Sequence, residues 1–157
     1  MSIQMLIKEI VDNFHKQQQL YVQIADLSDE QLGLLADEQW LDKQDKLNEL
    51  LQKRQIVNKK IDVLNSHNKD LQGQVMMQLD LSEFVLSRLE SKLEKEQYKS
   101  LREIVAGLGD ILARINKSDE QNHLLIKKAG PARVNPPANR HQAQNAYQQA
   151  VQQGKKG

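Results

Sequence analysis

The chain contains no cysteine, which excludes disulfides and thiolate metal sites. No run approaches the ~18–20 consecutive apolar residues of a membrane-spanning helix. The N-terminus lacks the basic n-region, apolar h-region and small-residue cleavage site of a secretory signal. A cytoplasmic location is the expectation, with cysteine usage in keeping. Aromatics make up only 4% of the chain and Trp occurs once. Few aromatics with much Leu, Gln, Lys and Glu is the composition of long helices, and it argues against a sheet.

What is present falls into two regions. All three prolines lie in residues 130–157, together with Arg133, Arg140, Lys155, Lys156 and no acid. That segment carries +4 in a chain whose formal net charge is +1, so the first 129 residues sum to −3. The near-balanced whole argues against nucleic-acid and membrane partners. We read residues 1–129 as a helical domain and 130–157 as a flexible basic tail rich in Pro, Gln and Ala. Within the tail, Ala143, Ala146, Tyr147, Ala150 and Val151 share a helical face.

Apolar periodicity divides the body. Ile3, Leu6, Ile7, Ile10, Phe14, Tyr21 and Ile24 form one stripe, interrupted at Gln17, and predict a helix over roughly residues 2–26. Ser28 and Gln31 have capping-box spacing, with Leu27 and Leu32 placed as a hydrophobic staple, which predicts a helix start there. Gly33 and the cluster Asp37-Glu38-Gln39 favour a break before Trp40. A second stripe runs through Trp40, Leu47, Leu50, Leu51, Val57, Ile61 and Leu64, with Glu49 and Lys53 as an i,i+4 pair. The turn-formers Asn65 to Asp70 should end it. Residues 71–95 read as one helix or two. From about Glu96 a third stripe (Tyr98, Leu101, Ile104, Val105, Leu108, Ile111, Leu112, Ile115, Leu125, Ile126) extends on the order of 45 Å. Lys127, Lys128, Gly130 and Pro131 supply its stop signal. Gly107 and Gly109 inside it each cost stability relative to Ala and let another backbone come close. The expected fold is all-α: an elongated antiparallel bundle or hairpin of long amphipathic helices.

Catalytic constellations are lacking. The histidines show no H-E-x-x-H pattern, and Glu120 with His123 has di-iron spacing only once. There is no phosphate loop and no nucleophile elbow. We therefore expect no enzyme activity, no cofactor and no metal. Lys53, Arg54, Lys59 and Lys60 form a basic patch, which Asp45, Glu49 and Asp62 balance, so a solvated face is the reading. Trp40 reads as packing between helices. Asn116, Asp119 and Asn122 put polar groups where the last seam should continue. They set register, or face water, or meet a partner's helix.

The order of features resembles a known family. An amphipathic N-terminal helix and a capped turn precede Glu38 to Asp42 (Glu-Gln-Trp-Leu-Asp) and the segment Leu47 to Gln55. A long terminal helix carries Ile115-x-x-x-Asp119-x-x-Asn122, and a low-complexity tail carries Asn145-Ala146-Tyr147-Gln148. This is similar to the small flagellar type III export chaperones of the FlgN and FliT kind, especially Gram-positive forms. The middle region, residues 71–95, matches neither pattern. The resemblance implies a chaperone that binds C-terminal helical segments of hook-associated or filament-cap proteins and brings them to the export apparatus. By match, Leu108, Ile111, Leu112, Ile115, Asn122 and Leu125 would line the partner groove. Tyr147 would engage the export apparatus or cover that groove. The alternative is a structural coiled-coil or adaptor protein acting by self-association, for example as a homodimer.

Overall fold

The computed structural model describes residues 1–129. The expectations for the tail, Tyr147 included, lie outside the described residues.

Helix α1 spans Ile3–Leu35. Ser2 starts it: its Oγ accepts from the Met5 N–H at 3.2 Å, satisfying one of the donors a helix leaves free at its N-terminus. A short 3-10 turn, Trp40–Lys43, follows the expected break. Helix α2 then runs unbroken over Gln44–Leu79. It ends where Asp80 adopts the left-handed conformation (φ 53°) and the Leu81 N–H donates back to the Met76 carbonyl at 2.9 Å. This is the 6→1 closure of a helix stop, at a residue type that tolerates positive φ. A connection containing the single-turn helix α3, Leu86–Leu89, leads into α4, Lys95–Ala129.

Hydrogen bonds fix the directions. Gln78 Nε2 donates to the Met1 carbonyl and Gln97 Nε2 to the Gln4 carbonyl, so the end of α2 and the start of α4 meet the start of α1. At the other pole Ser28 and Asp29 of α1 meet Asp119 and Arg114 of α4. The helices therefore run up, down, up. Helix α1 packs along both neighbours, while α2 and α4 approach each other much less closely.

That central position explains why α1 buries residues on a broad arc: Leu6, Ile7, Ile10, Val11, Phe14, Tyr21, Ile24 and Ala25. With Val57, Ile61, Leu71 and Val75 from α2, Leu89 from α3, and Leu101, Ile104, Leu108, Leu112 and Ile115 from α4, they form the main core. Each fully buried Leu or Ile contributes roughly 1.5–3 kcal/mol of transfer free energy. A second, smaller core occupies the other pole: Leu35, Trp40, Leu47 and Leu51, with Leu34, Leu41, Leu125 and Ile126 half-buried against it.

Two expected boundaries do not exist. Helix α1 does not end near residue 26, and Ser28 is not a cap: it is buried inside a continuous helix. Nor does Asn65–Asp70 form a turn, because α2 passes through it with Asn68 fully buried. Asn13 Nδ2 donates to Asn68 Oδ1 at 2.8 Å, and Asn68 Nδ2 donates to the Ile10 carbonyl at 3.3 Å. The polar side chain that signals a turn in sequence is here a cross-helix strut. Residues 71–79 thus belong to α2, and the stretch read as one helix or two short ones holds only the single short helix Leu86–Leu89 between the end of α2 and the start of α4.

At neither glycine of α4 does another backbone lie where a Cβ would be. A Cβ on Gly107 would lie 2.6 Å from the side-chain amide nitrogen of Gln18, so a side chain and not a backbone faces it. Gly109 has nothing within 4 Å of such a Cβ. Gly109→Ala is accordingly expected to raise stability by about 0.8–1 kcal/mol, read from the urea midpoint. An unchanged or lower midpoint would contradict the open surroundings of that position.

Candidate functional site

Between the two cores lies a layer of polar side chains. Ser28 is contributed by α1, Arg54 and Asn58 by α2, Asp119 and Asn122 by α4, and all five are buried. Arg54 grips Asp119 with both ends of its fork, Nη1 to Oδ1 at 2.6 Å and Nη2 to Oδ2 at 2.5 Å. Ser28 Oγ donates to Asp119 Oδ1 at 2.8 Å. Asn122 Nδ2 donates to the Ser28 carbonyl and contacts Ser28 Oγ, at 3.0 and 3.1 Å. The bidentate geometry is the strong form of a carboxylate–guanidinium pair. It also ties α2 directly to α4. The layer is not fully satisfied: Arg54 Nε, Asn58 Nδ2 and Asn122 Oδ1 have no hydrogen-bond partner among the described residues.

An outer set of contacts reinforces this plane. Arg114 Nη2 donates to Asp29 Oδ2 at 2.6 Å and Ser118 Oγ to Asp29 Oδ1 at 3.0 Å. The hydrogen bond from Arg114, aided by Ser118, holds the Asp29 carboxyl below its usual range. Its contribution to stability is therefore present above the ordinary carboxylate pKa of about 4 and is lost on acidification through the lowered value. At mid-bundle, burial and then the charge of Asp62 push the Tyr21 hydroxyl well above its ordinary value. The folded state holds that proton more tightly, so this contribution is full below pH ~10 and is lost as pH rises further. The Tyr21 hydroxyl is buried without a hydrogen-bond partner. Tyr21→Phe is expected to leave the unfolding free energy unchanged or to raise it by about 1 kcal/mol. A loss beyond about 1 kcal/mol in urea titration would show that the hydroxyl is satisfied.

The chemical capacity of the layer is limited. Ser28 donates to a carboxylate already neutralised by Arg54, with no histidine in the hydrogen-bond chain. Nothing in this arrangement activates the hydroxyl as a nucleophile. Among the described residues no group of three or more His, Asp or Glu is placed to hold a metal ion, and no helix is long and apolar enough to cross a membrane.

The residues that the resemblance places in a partner groove are spread through the bundle. Leu108, Leu112 and Ile115 lie in the main core, with Ile111 half-buried against it. Asn122 belongs to the polar layer and Leu125 flanks the small core. In this conformation a foreign helix reaches Ile115, 0% exposed, only by displacing α1 or α2. Of the three meanings open for Asp119 and Asn122, the structure places both inside the bundle, Asp119 joined to α1 and α2 and Asn122 to α1. Asn116 is half-buried and its Oδ1 has no partner.

Arg54 is the residue that pattern reading missed. Grouped with Lys53, Lys59 and Lys60 it looked like part of a solvated patch, yet it is 3% exposed. The signal was its phase: it falls three residues after Leu51 and three before Val57, inside the buried stripe. Trp40 packs in the small core at 6% exposure. Glu49 and Lys53 form the expected pair at 3.4 Å, while His67 meets Glu9 at 3.1 Å.

The surface carries apolar groups that the bundle does not cover. Ile56, Val63 and Met77 of α2 are 57%, 70% and 84% exposed. Their spacing of seven and fourteen residues places them along one side of the helix, with the exposed Asp70 between Val63 and Met77. Near the start of the bundle, a hollow of about 450 Å³ opens between α1 and α4, lined by Met5, Ile7 and Val11 with Lys8 and Glu96. No protein-family model, curated protein or solved structure matches the chain.

Proposed function

We propose that the protein is a partner-binding helical module, and specifically an export chaperone for flagellar hook-associated or filament-cap proteins that holds their C-terminal helical segments. The reading assigns it no catalysis. The observation that supports it best is the exposed apolar pair Ile56 and Val63 on α2, with Met77 further along the same side beyond the exposed Asp70. An amphipathic helix laid along that side would bury apolar surface from both partners, the helix-against-helix mode of peptide recognition. The resemblance in feature order supplies the class of partner. That side of α2 replaces the Leu108–Leu125 residues as the first surface to test, because most of those are committed to the interior.

The experiment is a pull-down with purified hook-associated and cap proteins, each with and without its C-terminal segment. Binding should need that segment and should weaken at least tenfold in an Ile56→Asp, Val63→Asp variant. Because both positions are exposed, the variant should keep its urea midpoint. Failure to bind any of these proteins, with a stable oligomer that the same substitutions dissolve, would favour self-association instead.

A further inference from the structure

We infer that the C-terminal turns of α4, residues 119–129, undock from the α1–α2 hairpin as one unit while the rest of α4 stays packed. The inference does not depend on which partner the protein binds.

Three observations converge on it. The two apolar cores share no residue, and the polar layer lies between them. Beyond Asp119, the apolar hold of α4 on the hairpin consists of two half-buried side chains, Leu125 and Ile126, while Leu124 is 63% exposed. At the layer itself α4 is held by polar groups: Asp119 to Arg54 and Ser28, and Asn122 to Ser28. An apolar seam that separates exposes hydrocarbon to water. A buried ion pair that separates regains the hydration of both charges, so the cost of parting is lower there. Arg54 Nε, Asn58 Nδ2 and Asn122 Oδ1, unpartnered when closed, gain water on opening. The plane of least resistance in this bundle is therefore the layer, and local opening is favoured on its far side.

Opening would uncover Trp40, Leu47 and Leu51, the floor on which Leu125 and Ile126 rest. It converts a closed pole into an apolar surface without unfolding the main core.

The test is amide hydrogen exchange on the intact chain, alone and with the double substitution Arg54→Met, Asp119→Leu, which removes both charges from the layer and puts apolar side chains between the two cores. In the native chain, amides of residues 122–129 should share one exchange rate, at least a hundredfold faster than that of residues 101–115. In the double variant the rate at 122–129 should fall at least tenfold, and Trp40, the single Trp, should become less accessible to acrylamide. Ordinary fraying gives rates graded towards Ala129 and is indifferent to residue 54. A graded profile, or a rate at 122–129 that the double substitution leaves unchanged, would overturn the inference.

Discussion

Asp119→Ala should lower the unfolding free energy by about 3–5 kcal/mol, because it leaves the Arg54 guanidinium buried without its counter-charge. Arg54 is 3% exposed and Asp119 9%, and the two meet through paired hydrogen bonds, so water cannot substitute without rearrangement. Ser28 loses its acceptor in the same change. The contrast with the double variant is the informative part. Arg54→Met with Asp119→Leu removes both charges and their desolvation cost together, and is expected to be neutral or stabilising by about 1–4 kcal/mol. Urea titrations of the two variants therefore move in opposite directions or nearly so. A single-variant loss under about 1 kcal/mol would mean that the pair behaves as an exposed one.

Ile115→Ala should cost about 2–5 kcal/mol. The side chain is fully buried in the main core, in the turn of α4 before the polar layer. Ile115→Asp should abolish cooperative folding, since an isolated carboxylate there has no partner and no water. Circular dichroism with urea titration reads both. Loss of partner binding in an Ile115 charge variant would therefore report loss of the fold. If Ile115→Ala cost less than about 1 kcal/mol, the main core at this level would be loosely packed or open in solution.

The helical class and most of the core were legible in the sequence, because apolar spacing at three and four residues is a property of the local chain. So were the break before Trp40 and the near boundary of α4. Ser28 and Asn68 were misread for one physical reason. Each is a good cap or turn residue by itself, yet each spends its side chain on a partner far along the chain, Asp119 at a separation of 91 residues and Asn13 at 55. Local propensity is worth tenths of a kcal/mol per residue and yields to such tertiary pairing. Arg54 stayed hidden because a charge beside other charges looks solvated until its helical phase is counted. The exposed Ile56 and Val63 of α2 were legible in part: both fall outside the stripe of Val57, Ile61 and Leu64, and the packed bundle shows how far they stand open, at 57% and 70% exposure.

The parallel run of α1 and α4 has a mechanical consequence. The chain begins at one pole, and α4 ends at the other, beside the small core. A pull applied between Met1 and Ala129 draws the two helices past each other along their shared interface. Their interdigitated side chains then bear the load together, in shear, rather than parting one pair at a time. The weak point under such a pull is the last stretch of α4, held by the two half-buried side chains Leu125 and Ile126, which would yield first while the main core held.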